Sequence, residues 1–164
     1  MTGRIEARLA EMGIKLPEPT VPLAKYVPFV QTGNLLFVSG QMPLGPDGLV
    51  TGQLTAADHA VDGVPAPGSK LALAAEAAGF AAVNLLVQAK AATGDLDRVA
   101  RVVKLTGFVN CDGGFSQQHL VINGASALLG EVFGDAGRHS RSAVGSSSLP
   151  LGVIVEIEGI FEIA

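Results

Sequence analysis

Charge is what this 164-residue chain has least of: Asp, Glu, Lys and Arg together make up 16% of it, against 48% for hydrophobic residues. So little charge cannot dress a large free surface, which favours a chain that buries further area against copies of itself. The formal net charge is −4, and no segment concentrates the 11 Lys and Arg residues. Phosphate backbones are held by clustered cations, so nucleic acid is not an expected partner. A single cysteine, Cys111, excludes an internal disulfide and fits a reducing, cytoplasmic setting. The opening MTGRIEARLAEMG carries charges through its middle and lacks the apolar core of a signal peptide.

Several chemical signatures are missing as well. There is no Gly-x-Ser-x-Gly elbow, no Gly-x-x-x-x-Gly-Lys phosphate loop and no Cys-x-x-Cys. Nothing points to nicotinamide, flavin or pyridoxal phosphate, and no cofactor is expected. Asp58, His59 and Asp62 have weak metal-ligand spacing, and 3 scattered histidines with one distant cysteine form no ligand cluster. No metal site is expected.

What is present reads as one domain over residues 1–164, with 1–23 as an N-terminal extension. Ile5, Leu9 and Met12 recur at i, i+4 and i+7, which predicts a short amphipathic helix ended by Gly13. Pro17, Pro19 and Pro22 then mark an extended linker. Apolar runs over 27–31 and 35–40 flank Thr32-Gly33-Asn34, a hairpin signal, and 45–52 reads as loop. Residues 69–92 are the most helical stretch, rich in Ala and Leu. A helix apolar on nearly every side is either buried or in a membrane. Asn84, Gln88 and the many alanines favour burial under a sheet.

Residues 99–110 predict a long strand, and Asp112-Gly113-Gly114 turns it into a helix over 115–133. Residues 140–145 suit a short strand. After the break at Leu149-Pro150-Leu151-Gly152, Val153, Val155 and Ile157 alternate with Ile154, Glu156 and Glu158, the period of a two-faced strand. The order predicts an α+β layout in which two main helices cover one face of a mixed sheet.

Arg141 and Glu156 face each other across that last turn in the sequence. Guanidinium forks onto carboxylates with two parallel hydrogen bonds, and a carboxylate across a narrow gap orients it or acts as a base on water. On pattern alone the plainer reading is a surface arginine and the solvated face of an antiparallel sheet. Asn123, mid-helix where propensity disfavours asparagine, suits a polar face or a contact equally.

Arg141-Ser142-Ala143-Val144, then Leu149-Pro150, then Val155-Glu156-Ile157-Glu158 resembles the C-terminal signature of the RidA family, also called YjgF or L-PSP. Tyr26 followed by Val38-Ser39-Gly40-Gln41-Met42-Pro43 resembles its N-terminal strand pair, and Asn123 falls where its second helix carries an asparagine. The likeness runs from about Tyr26 onward and is nearest the longer subgroup described as chorismate-mutase-like putative endoribonucleases. It implies a chorismate-mutase-like (bacillus type) fold, a homotrimer with clefts between subunits, and an enamine/imine deaminase turning 2-imino acids into 2-oxo acids and ammonia. Arg141 would grip the substrate carboxylate and Glu156 would activate water. Tyr26, Ser39, Asn123 and the Ala143 backbone would contact the substrate. Ala143 stands where the family usually has cysteine, and Gly145 where it often has an acidic residue. Two further readings of the same cleft are a non-catalytic binder or sensor of small carboxylates and the endoribonuclease of the subgroup's description. Chorismate rearrangement would call for more cations than Arg141 and Arg138 offer.

Overall fold

The structure is a computed structural model that describes residues 3–19 and 25–164. Pro22 of the expected linker lies outside the described residues. Helix α1 (Arg4–Glu11) buries Ile5 and Leu9 as their spacing predicts, and Gly13 follows it with φ 73°. Strands β1 (Phe29–Thr32) and β2 (Leu35–Gln41) form the expected hairpin around Gly33. The stretch expected as loop instead holds a small hairpin, β3 (Leu44–Gly45) with β4 (Gly48–Leu49). It is pinned from below: Asn84 Nδ2 donates to Met42 O at 2.9 Å and to Leu44 O at 3.4 Å.

Helix α2 (Lys70–Thr93) begins where Ser69 Oγ accepts from the Ala72 N–H and ends at Gly94, φ 77°. It is the one helix, among the described residues, long and apolar enough to cross a membrane. Leu71, Leu85, Leu86 and a run of alanines are instead buried in the core, which accounts for its apolarity. Each large apolar side chain buried this way contributes about 1.5–3 kcal/mol. Strand β5 (Val99–Asn110) leads to α3 (Gln118–Phe133), which starts later than the sequence suggested. The reason is Asp112, whose Oδ1 takes the N–H groups of Gly114 and Phe115 into a turn. Strands β6 (Ser140–Ser146) and β7 (Val155–Ile163) complete the chain.

The sheet order is β1-β2-β7-β5-β6, antiparallel except for the parallel pair β5–β6. One face of this mixed sheet is covered by α2 and α3, as expected for the fold class. Val102, Leu105, Val109, Val155, Ile157 and Phe161 are buried on that side. Gly124 lies against the Ala75 backbone, so close that a Cβ would overlap its carbonyl, and this lets the two helices cross tightly. The other face carries Phe37, Lys104, Thr106 and Glu158, and no element of the described chain covers it.

Candidate functional site

Arg141 pairs in register with Leu105, so its side chain leaves β6 on the helix side of the sheet. There α3 holds it. Nη2 donates to Asn123 Oδ1 at 2.8 Å and to the His119 carbonyl at 3.2 Å, and Nη1 donates to Ser126 Oγ at 3.0 Å. All three partners are neutral. Among the described residues no carboxylate forms an ion pair with Arg141, so a fixed, partly buried cation is left with its charge uncompensated.

Glu156 sits elsewhere. It opposes Phe108 on β5 and points, with Glu158, to the uncovered face. Gly40 makes room for it, since a Cβ at Gly40 would run into the Glu156 carboxylate. Burial raises the Glu156 carboxyl above the ordinary glutamate range, and the neighbouring Glu158 charge pushes it the same way. Ser39 lies on this side too. Its Oγ donates to Val27 O at 2.9 Å and its N–H to Pro28 O, which ties the Tyr26–Val27 approach to β2. Tyr26 itself is exposed. A cleft of about 250 Å³ on the same face is lined by Phe37, Ser39, Lys104, Thr106, Glu158 and Ile160 among others.

The sequence suggested Arg141 and Glu156 on two strands facing across a turn. That placement is corrected: β5 lies between β6 and β7, and the two side chains leave opposite faces of the sheet. Within one chain the candidate residues fall into two groups, Arg141 with Asn123 on the helix side and Glu156 with Ser39 on the open side. Ala143 is on edge strand β6 beside Gly107, its methyl packed against the core. Gly145 packs closely: a Cβ there would press on Cys111 Sγ at 2.7 Å and Gln118 Nε2 at 3.1 Å, so a larger residue would have to displace these side chains. Cys111 is buried.

Two residues were missed. Ser126 lies one turn after Asn123 on the same face of α3, and His139 two residues before Arg141 on the approach to β6; both spacings were readable. His139 Nε2 is 3.0 Å from Ser126 Oγ, and its Nδ1 is 2.6 Å from the Gly137 carbonyl. A larger hollow, about 800 Å³, opens on the outer side of the helices beside Phe80, Val83 and Leu128, and none of the candidate residues borders it.

Residues 6–162 match the family described as YjgF/chorismate mutase-like, putative endoribonuclease. The chain belongs to this family. Similar proteins cover nearly its whole length. Protein TCP17 of Trypanosoma cruzi is 43% identical over 99% of this chain and 96% of its own. Atu1372 of Agrobacterium tumefaciens, a crystallised protein of unknown function, is 48% identical with a TM-score of 0.82, covering 98% of this chain and 92% of that one. A putative endoribonuclease from Shewanella oneidensis MR-1 is 31% identical with a TM-score of 0.85, covering 98% of this chain and 100% of that one. The N-terminal extension is therefore shared with these relatives, and the fold is that of the YjgF proteins.

Proposed function

We propose that the protein hydrolyses 2-imino acids to 2-oxo acids and ammonia, in the cytoplasm, at sites shared between neighbouring subunits of a homotrimer. The observation that carries this reading is Arg141: a guanidinium fixed by three neutral acceptors, with no carboxylate paired to it among the described residues. Such a group favours a small anionic ligand, and a carboxylate fits its fork. Three of its five donors are engaged by α3, both Nη2 hydrogens among them. A bidentate carboxylate therefore exchanges with one Nη2 contact, and Asn123 Oδ1, released, is free to meet the substrate. Chorismate-like dianions would call for further cations beside it.

Glu156 and Ser39 leave the opposite face of the sheet, with Tyr26 in the segment tied to Ser39, so a site using all of them takes Arg141 and Asn123 from one subunit and the others from its neighbour. Glu156 there holds its proton more tightly than an ordinary glutamate. It accepts a proton as water adds to the C=N carbon and returns it to nitrogen as ammonia leaves, so that the imine and one water become the oxo acid and ammonia.

An amino-acid oxidase supplies the imine, and semicarbazide trapping or ammonia release follows its loss. Wild-type protein is expected to accelerate hydrolysis. Arg141→Ala should lose on the order of ten- to a hundredfold from the charge-assisted contact alone, about 1.5–3 kcal/mol. Arg141→Lys should recover little, because ammonium has no planar fork. Equal rates in wild type and Arg141→Ala would show the assigned site to be wrong. Binding of 2-oxobutanoate without acceleration by wild type would leave a carboxylate-binding protein that is not an enzyme. With a net charge of −4, no saturable RNA binding is expected at physiological salt.

A further inference from the structure

We infer that Ser126 and His139 are positioning residues for Arg141: a two-step relay that turns the Ser126 lone pairs onto the guanidinium. The inference rests on the carboxylate-binding role given to Arg141 above, and it adds residues outside the motifs that suggested that role.

The hydrogen-bond directions follow from what each group can do. Gly137 O is a carbonyl and only accepts, so His139 Nδ1, 2.6 Å away, carries the hydrogen. In the neutral ring Nε2 then holds a lone pair and accepts. The group 3.0 Å from it is the Ser126 hydroxyl, which therefore donates to His139. Arg141 has donors only, so the 3.0 Å contact from Nη1 falls on a Ser126 lone pair. One carbonyl thus fixes a tautomer, the tautomer fixes a hydroxyl rotor, and the rotor fixes one arm of the arginine. The helix supplies the other arm through His119 O and Asn123 Oδ1.

The carbonyl that starts the relay is itself held. Gly137 is buried in the 3₁₀ turn Gly134–Gly137, pressed onto the end of α3 so that a Cβ would overlap the Leu129 carbonyl. Ser126 and His139 are both partly buried, where a serine rotor left to itself would turn its hydrogen to the helix backbone or to water. With His139 taking that hydrogen, the oxygen faces Arg141. The serine serves orientation and not attack, because the guanidinium occupies its free lone-pair side.

The test uses the intact protein in three measurements. Long-range proton–nitrogen spectra on the alkaline side of the ordinary histidine range should show His139 protonated at Nδ1 and bare at Nε2; an Nε2–H tautomer overturns the relay. Slowly exchanging Arg141 Nη signals should broaden in Ser126→Ala and in His139→Phe and return in Ser126→Thr, which keeps the hydroxyl. Both of these readings stand whether or not the protein hydrolyses imines, so the failure of the functional reading is distinguishable from failure of the relay. Third, 2-oxobutanoate should bind about five- to tenfold more weakly to Ser126→Ala and to His139→Phe, with unchanged melting temperature and with rescue by Ser126→Thr. The double variant should lose no more than the worse single one, because both act through one contact. Independent, additive losses, or Nη signals indifferent to Ser126, refute it.

Discussion

Glu156 is where a single carboxyl would couple stability to the proposed chemistry. Its pKa is raised by burial and by Glu158, so the folded state binds that proton more tightly than the unfolded chain does. Stability therefore falls as pH rises from the ordinary glutamate value through the raised one, and the deficit persists above it. Glu156→Gln should then melt higher than wild type at neutral pH, by less than about 1 kcal/mol because the group is only half-buried, with the gap closing in acid. Calorimetry across pH reads this, and a constant gap at all pH values would remove the carboxyl's charge as the cause. Gly40 belongs to the same argument. Gly40→Ala places a methyl where the Glu156 carboxylate now lies, so it should lower turnover while leaving 2-oxobutanoate binding at Arg141 nearly intact. Losing both together would mean that the substitution disturbs the sheet and not the carboxylate.

At the scale of elements, α1 shows how a short helix is docked from outside. Its own N-cap, Gly3, offers no side chain, and the caps come from Asp97, which accepts from the Arg4 N–H at 2.7 Å and the Ile5 N–H at 2.8 Å. Those hydrogen bonds hold the Asp97 carboxyl below the ordinary aspartate range. The same contacts account for the cluster of Glu6, Asp95 and Asp97 oxygens within 4.8 Å: Glu6 accepts from Leu96 N–H and pairs with Lys90, and Asp95 accepts from Asp97 N–H. Asp97→Ala should cost about 1 kcal/mol and loosen α1 first, as hydrogen exchange would show. With a lowered folded pKa, that stabilisation is present above the ordinary aspartate value and fades as pH falls through the folded one. Unchanged protection of the α1 amides in Asp97→Ala would show the cap to be idle. Local pattern carried most elements: the Ile5/Leu9 spacing, Gly33 and the alternation around Glu156 each mark a feature that formed. The β3–β4 hairpin escaped because it is held by Asn84, 40 residues and more away in sequence. Strand insertion escaped for the same reason. Nothing in residues 138–164 says that β5 slips between β6 and β7, yet that placement parts Arg141 from Glu156. Ser126 and His139 were legible in spacing but bear no motif, and only the fold brings them to Arg141.

The whole molecule leaves one sheet face and both sheet edges, β1 and β6, without cover among the described residues. Val30, Phe37 and Val144 are exposed by 54%, 41% and 44%, in a chain poor in charge. Open sheet edges and apolar faces of this kind favour association, and the split between Arg141 and Glu156 gives that association a functional signature. In a closed ring each subunit offers its helix-side group to one neighbour and its open-face group to the other. Arg141→Ala and Glu156→Gln should each be strongly impaired as pure proteins, well below the rate of the mixture. A site in a mixed ring is complete when its arginine comes from a Glu156→Gln subunit and its glutamate from an Arg141→Ala subunit. Unfolding the two variants together in equal amounts and refolding them should thus restore roughly a quarter of the wild-type rate, the chance that two random neighbours supply the right pair. Sites built within single subunits would give no recovery at any mixing ratio, because no subunit in the mixture carries both groups. Light scattering on the same samples must show trimers; a monomer with wild-type activity would remove the shared site altogether.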